Sequence, residues 1–271
     1  MSIKMKVKIS SFVLFIIVFM CARTEAGDNR LDFSSSIKQN ILIEYFSSNT
    51  CSQCLSGVDF MNNYRTNKKV FNEIFPITFF EYDVPESIIT VMQKYSLFPQ
   101  ETAQTNSFIN RRLDKYLGNK HIYRRLAPLY IANGRGWRPG VFVKIPNVLR
   151  KNVGKLSVDI IDRQVEVKFH NLDKNDDNLN LSISILAMNF DLYIAGKKEV
   201  KKNNSFILVH QKYYPGVNKN NSWILTLPDK LVVNGNQQYA IVVWVNRPND
   251  QTPVQVTGGI LNSSILESLR K

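Results

Sequence analysis

The stretch of sequence that decides the fold is Ile41-Leu42-Ile43-Glu44-Tyr45-Phe46-Ser47-Ser48-Asn49-Thr50-Cys51-Ser52-Gln53-Cys54. Its first six residues are rich in apolar and β-forming types, which predicts a buried strand. The polar residues that follow can end a strand and cap a helix. Beyond them, Leu55, Val58 and Met61 recur at the spacing of one helical face. The sequence therefore predicts a strand and a helix joined by a turn that carries both cysteines.

The chain continues to mix strands and helices up to about residue 150. Residues 75–82 predict a second buried strand, and the apolar spacing of residues 103–117 predicts a helix. Residues 128–134 read Pro-Leu-Tyr-Ile-Ala-Asn-Gly, which predicts a strand that begins at a proline and ends in an Asn-Gly turn. We expect residues 141–145 to return as its partner strand, with residues 135–139 in a longer loop.

Beyond residue 150 the helical spacing almost disappears. About eight short, partly alternating strand candidates follow, and they are separated by polar loops such as residues 173–178 and 247–250. Strands at this spacing, divided by turn-forming residues, are typical of a β-sandwich or barrel.

The first 26 residues predict a secretory signal peptide. A start that contains three lysines precedes an apolar run over residues 11–22, and Thr24-Glu25-Ala26 offers a small-residue cleavage site. The run is shorter than the ~20 residues that span a bilayer. We therefore expect cleavage near Ala26 and a soluble periplasmic or secreted protein without stable membrane insertion. An uncleaved N-terminal anchor is the alternative.

Composition indicates an ordinary globular protein, since 44% of the residues are hydrophobic and 21% are charged. The net charge of +13 is compatible with acidic surfaces, including lipid headgroups or nucleic acid. However, the lysines are scattered and often lie beside asparagines, as in residues 201–204. This pattern is typical of solvated loops, and we expect no nucleic-acid partner.

The number of cysteines limits the reactions that the chain could carry out. Cys21 is one of three cysteines and lies in the predicted signal peptide, so the mature chain keeps the C-x-x-C pair Cys51 and Cys54. The pair is either a redox dithiol or a structural disulfide. Closing so short a loop removes little entropy from the unfolded chain, which makes stabilisation alone a weak reason for it. The histidines (His121, His170 and His210) have no zinc-like spacing to the pair, so we expect no metal or other cofactor.

The order strand, turn, C-x-x-C, helix and later Ala127-Pro128 resembles the thioredoxin superfamily. The resemblance covers about residues 41–145. It implies that Pro128 is the cis-proline that faces the dithiol, that Cys51 is the nucleophile and that Cys54 resolves the mixed disulfide. It also implies that Glu44 is the buried acid that assists deprotonation of Cys54.

A closer resemblance is to a family of exported bacterial proteins of unknown function. Residues 44–54 and 127–134 are similar to its Glu-Leu-Phe-Thr-Ser-like strand and its Thr-Pro strand ending in Asn-Gly, and residues 242–246 to a strand of its C-terminal β domain. Leu55 and Ala127 depart from the proline and threonine that are usual there.

The predicted fold class is an α/β thioredoxin-like domain followed by an all-β sandwich-like domain. We expect a signal peptide at residues 1–26, the thioredoxin-like domain at 27–150, the sandwich-like domain at 151–265 and a tail at 266–271.

The predicted function is that of an exported thiol–disulfide oxidoreductase, which exchanges protein disulfides through Cys51 and Cys54. Its expected partners are protein thiols or disulfides of the cell envelope and an unidentified redox partner. The alternative is a non-catalytic thioredoxin-like binding module of the envelope, in which the two cysteines form a locked structural disulfide. The residues do not distinguish an oxidant from a reductant or an isomerase.

Overall fold

The structure is a computed structural model. It describes residues 29–51, 53–81, 102–120, 128–139, 149–173, 178–194, 199–216, 220–228 and 237–269. The predicted signal peptide and the strand expected at residues 141–145 lie outside these residues. Within them, no helix is both long enough and apolar enough to cross a membrane.

Strands dominate the described chain. They are β1 (Arg30–Ser34), β2 (Ile41–Ser48), β3 (Ile74–Glu81), β4 (Leu129–Ala132), β5 (Arg135–Trp137), β6 (Gly154–Ile161), β7 (Gln164–Asn171), β8 (Asn180–Ala187), β9 (Phe190–Ile194), β10 (Glu199–Asn204), β11 (Ile207–Tyr214), β12 (Ser222–Thr226), β13 (Tyr239–Asn246) and β14 (Pro253–Ile260). The helices are α1 (Cys54–Asn62), which a 3-10 turn at Asn63–Thr66 extends, α2 (Thr102–Gly118) and α3 (Ser263–Ser268).

The main sheet has eight strands in the order β14-β13-β8-β11-β3-β2-β4-β5. Strands β2 and β3 run parallel and are connected through α1, whereas β4 runs antiparallel to β2. A four-stranded sheet has the order β1-β6-β7-β12, and β9 and β10 form a two-stranded sheet. Phe33 of β1 lies against Gly259 of β14, so the four-stranded sheet packs on the main sheet there.

The predicted fold class, an α/β thioredoxin-like domain followed by an all-β sandwich-like domain, is wrong. The chain is mostly β, and its main sheet joins strands from both sides of residue 150. Strand β11 lies beside β3, where Ile207 is paired with Thr78 and the Thr78 N–H donates to the Phe206 carbonyl at 2.7 Å. The unpaired edge of β3 is completed by a strand more than a hundred residues later. Local patterns identify strands but not their partners, which is why the sequence suggested two separate sheets.

The Asn133-Gly134 turn is confirmed, but the loop expected at residues 135–139 is not. Asn133 and Gly134 have φ angles of 44° and 80°, as a two-residue hairpin turn requires, and Arg135–Trp137 returns at once as β5. A Cβ at Gly134 would lie 2.4 Å from Thr252 Oγ1. Glycine therefore provides both the positive φ and the room for the β13–β14 loop.

Strand β2 is covered on both faces, and this positions the site. Tyr45 reaches α1, because its hydroxyl donates to the Cys54 carbonyl at 2.7 Å. Phe46 points the other way and stacks on Phe79, whose ring lies 6.0 Å from that of Phe108 on α2. Since side chains alternate along a strand, Glu44 shares the α2 face with Phe46.

Candidate functional site

Cys51 and Cys54 form a disulfide at the turn between β2 and α1. Their Cα atoms are 5.4 Å apart. Cys51 is partly exposed, whereas Cys54, the first residue of α1, is 2% exposed. The Cys51 N–H donates to the Ser48 carbonyl at 3.3 Å, and the Cys54 N–H donates to the Cys51 carbonyl at 3.1 Å. A partner that approaches this disulfide therefore meets Cys51 first.

The N-terminus of α1 is electrostatically suited to a thiolate. The first turn of the helix contains no acidic residue, and the side chain of the N-cap residue Gln53 makes no capping hydrogen bond. The first amide groups of a helix and its dipole stabilise negative charge near them and lower the pKa of a neighbouring thiol. The local charge pattern thus favours opening of the disulfide to a thiolate.

Tyr45 of β2 contacts the backbone of Cys54, and the sequence did not identify Tyr45 as a residue of the site. It is fully buried, and its hydroxyl holds the carbonyl of Cys54. Burial raises the pKa of Tyr45 well above its ordinary value, so the phenol stays protonated and remains a donor. The alternation of side chains along β2 could have indicated this role, because it places residue 45 on the face opposite to residue 44.

Gly57 provides the space for this contact. A Cβ at Gly57 would lie 2.1 Å from the Tyr45 hydroxyl oxygen and 2.6 Å from that of Tyr130. Both hydroxyls therefore approach the backbone of α1 at the same point. The rings of Tyr45 and Tyr130 stack with centroids 4.6 Å apart, which orders the pair.

Aromatic rings extend from Tyr130 across the β4–β5 hairpin and α1. The ring of Phe60 lies 5.5 Å from that of Tyr64, 5.6 Å from that of Tyr130 and 5.8 Å from that of Trp137. Burial raises the pKa of Tyr130 to about 12, so this phenol is also neutral at physiological pH. The cluster fixes the position of α1 on the sheet, and with it the position of Cys54.

Glu44 is not brought to the disulfide. Its two carboxylate oxygens accept hydrogen bonds from Arg112 Nε and from the Tyr116 hydroxyl of α2. Arg112 also donates from Nη1 to Gln251 Oε1 at 2.7 Å. Glu44, Arg112 and Tyr116 are at most 2% exposed. The structure thus places the predicted acid in a buried ion pair on the face of β2 opposite to Cys54.

The ion pair sets the electrostatics of that face. Burial lowers the pKa of Arg112, but its interactions with Glu44 and Tyr116 together outweigh this effect and hold the pKa above its ordinary value. Burial likewise raises the pKa of Tyr116 well above its usual range. Both groups therefore keep their protons, and Glu44 has a fixed positive partner.

Arg112 also connects two distant strands of the main sheet. Its guanidinium carbon lies 5.1 Å from the ring centroid of Trp244 on β13, which is four places from β2 in the sheet order. The side chain that binds Glu44 of β2 therefore also contacts β13.

Pro128 lies at the same end of β2 as the disulfide turn. It is exposed and immediately precedes β4, in which Leu129 pairs with Phe46. Continuing this register by one residue places Pro128 opposite Ser47. Ala127 lies outside the described residues, and so does the Ala127–Pro128 peptide bond on which the cis-proline prediction depends.

A groove of about 860 Å³ lies at the other end of β2. Gln39, Ala132 and Trp137 contribute to its lining, whereas neither cysteine does. No group of three or more His, Cys, Asp or Glu side chains in the described part of the chain could hold a metal ion. His170 and His210 lie on β7 and β11, and His121 lies outside the described residues.

No protein-family model and no curated protein matches the sequence. The chain is similar to the solved structure of HBP35 of Porphyromonas gingivalis, with a TM-score of 0.51 and 11% identity over 84% of this chain and 77% of that one. A structural-genomics target from Agrobacterium tumefaciens aligns with a TM-score of 0.49 and 11% identity over 84% of this chain and 96% of that one. At such identity the likeness to HBP35 concerns the fold alone. The chemistry of the site must therefore be argued from the residues of this chain.

Proposed function

We propose that the protein performs thiol–disulfide exchange through Cys51 and Cys54. The observation that carries this proposal is the asymmetry of the disulfide, in which a partly exposed Cys51 is bonded to a buried Cys54 at the start of a helix. Exchange requires one sulfur that a substrate can reach and a second that is held nearby to displace it. The turn between β2 and α1 supplies both.

In the reducing direction, the Cys51 thiolate attacks one sulfur of a substrate disulfide. A bond forms between Cys51 and that sulfur, the substrate S–S bond breaks, and the second substrate sulfur leaves as a thiolate that takes up a proton. Cys54 then loses its proton and attacks the Cys51 sulfur, which releases the first substrate sulfur and restores the Cys51–Cys54 disulfide. The substrate gains two electrons and the protein dithiol loses two, and the oxidising direction is the reverse.

A purely structural role accounts poorly for so short a loop. With four residues in the closed loop, the chain-entropy model assigns about 2 kcal/mol of stabilisation, compared with about 4.7 kcal/mol for a loop of roughly 100 residues. The described core already contains many fully buried aromatic and aliphatic side chains from the eight-stranded sheet, the four-stranded sheet and α1. A chain with such a core has little need of the small stabilisation that this disulfide would provide.

Protein disulfides outside the cytoplasm are the proposed substrates. The N-terminal sequence predicts export, and an oxidising compartment is where a C-x-x-C pair meets substrates of this kind. The direction of exchange depends on the reduction potential of the pair relative to that of the compartment. Equilibration of the purified protein with glutathione buffers measures this potential.

Trapping experiments test the proposal directly. Cys54→Ser leaves the accessible Cys51 thiol without its resolving partner, so mixed disulfides with substrate proteins are expected to accumulate and to be released by reductant. Both variants also carry Cys21→Ser, so the matched control Cys51→Ser leaves only the buried Cys54 and is expected to trap nothing. If Cys54→Ser accumulates no adduct, and if the pair stays oxidised in buffers far more reducing than an envelope, the disulfide is structural and the proposal fails.

A further inference from the structure

The face of β2 beneath Cys54 carries hydroxyl groups instead of a carboxylate. Tyr45 and Ser47 are two residues apart, so their side chains point to the same face, toward α1. The Tyr45 hydroxyl contacts the Cys54 carbonyl. Ser47 lies nearer to the disulfide turn, since the next residue, Ser48, accepts the hydrogen bond of the Cys51 N–H.

The hydroxyl of Ser47 is buried beside that of Tyr45 in the oxidised site. Ser47 is 3% exposed, and its Oγ has no hydrogen-bond partner among the described residues. Burial raises the pKa of Tyr45, and the Ser47 hydroxyl nearby partly opposes that rise, so the two hydroxyls share one buried space. A buried donor without a partner is costly, and such a group is expected to gain one in another state of the site.

We infer that Ser47 Oγ donates a hydrogen bond to the Cys54 sulfur when the disulfide is open, an inference that rests on the proposed exchange reaction. A disulfide sulfur is a weak acceptor, whereas a thiolate is a strong one, so the Cys54 sulfur becomes a strong acceptor for Ser47 only when the disulfide is open. Tyr45 holds the first residue of α1 by its carbonyl, on the same face of β2 as Ser47. Ser47 thus supplies the stabilisation that the sequence assigned to Glu44.

The hydrogen bond acts on the resolving step. Cys54 loses its proton to solvent, its thiolate attacks the Cys51 sulfur, and the bond between Cys51 and the substrate breaks as the substrate leaves. Ser47 keeps its own proton throughout. By stabilising the thiolate, it lowers the pKa of Cys54 and increases the fraction of molecules that can resolve the mixed disulfide.

The test measures the Cys54 thiol alone. The full chain carrying Cys21→Ser and Cys51→Ala leaves Cys54 as the single thiol, and the ultraviolet absorbance of its thiolate is followed against pH. Adding Ser47→Ala is expected to raise the pKa of Cys54 and to reduce the thiolate fraction at a given pH about three- to tenfold, the loss of one hydrogen bond. Ser47→Thr keeps the hydroxyl and is expected to stay close to the parent.

Thr78→Val is the matched control. Thr78 pairs with Tyr45 on the neighbouring strand, is fully buried, and its hydroxyl likewise has no hydrogen-bond partner within the described chain. It lies farther from the turn than Ser47, so its removal is expected to leave the pKa of Cys54 unchanged. Ser47→Ala removes a hydroxyl without a partner, so the oxidised variant is expected to fold as stably as the parent in urea.

An unchanged pKa in Ser47→Ala, or an equal rise in Thr78→Val, overturns the inference. The thiol titration does not depend on exchange with any substrate. Absence of trapped mixed disulfides therefore counts against the proposed function, whereas an unshifted pKa counts against the role of Ser47, and the two failures are distinguishable. A rise confined to Ser47→Ala, with recovery in Ser47→Thr, supports it.

Discussion

The substitution Glu44→Gln tests whether Glu44 has a structural or a catalytic role. The variant keeps the shape of the side chain and an acceptor for Tyr116, but it removes the negative charge that faces Arg112. If Glu44 assisted Cys54, exchange would be impaired. The geometry instead predicts a loss of stability with little change at the disulfide.

The expected cost follows from burial. Arg112 is 2% exposed and Glu44 is 0% exposed, so the guanidinium left behind cannot regain water. Removing one partner of a buried ion pair costs about 3–5 kcal/mol, and we expect the lower end because Gln251 still accepts from Arg112. With a urea m-value of about 2–3 kcal/mol/M, a loss of about 3 kcal/mol lowers the unfolding midpoint by about 1–1.5 M.

Urea unfolding of the oxidised protein and its glutathione equilibrium are the two measurements. Glu166→Gln is the control, because Glu166 pairs with Lys168 where both side chains are more than a third exposed, and its loss is expected to cost less than about 1 kcal/mol. A Glu44→Gln protein of unchanged stability contradicts the ion-pair geometry. A stable variant with a shifted reduction potential would support a catalytic role for Glu44.

Two glycines give further predictions that urea unfolding can check. Gly57→Ala places a Cβ against the hydroxyls of Tyr45 and Tyr130 and is expected to cost about 1–3 kcal/mol. Gly134→Ala, at a φ of 80° and against Thr252, is expected to cost about 1–3 kcal/mol. Gly118→Ala at the end of α2, where a Cβ meets no atom within 4 Å, serves as the control for both and should lose no stability. Glycine variants as stable as this control would refute the close approaches described for α1 and for the β4–β5 turn.

Several elements could be predicted from local pattern alone. The strand at residues 41–46 is β2, the helix after the cysteines is α1, and the helix expected at 103–117 is α2. The strand candidates beyond residue 150 also correspond to strands. By contrast, the polar strands β1 and β10 were missed, because Arg30–Ser34 and Glu199–Asn204 lack the apolar run that marks a buried strand.

Part of the candidate site could likewise be predicted from the sequence, and part could not. The spacing of Cys51 and Cys54 was enough to predict a reactive or structural pair, and alternation along β2 could have indicated that residue 45, rather than residue 44, faces the helix. The partner of Glu44 could not be predicted. Arg112 lies on a helix 68 residues later, and only the packing of α2 on the face of β2 brings the two together.

The sequence by itself determined most of the apolar strands, the helices α1 and α2, the place of the cysteine pair and the Asn133-Gly134 turn, because these depend on side-chain period and local backbone preference. The tertiary structure decided that β11 pairs with β3, which face of β2 meets Cys54, and that Glu44 binds Arg112 rather than assisting a cysteine. Strand pairing and burial are contacts between distant residues. No local pattern records them, since a strand of suitable period can add to any available edge.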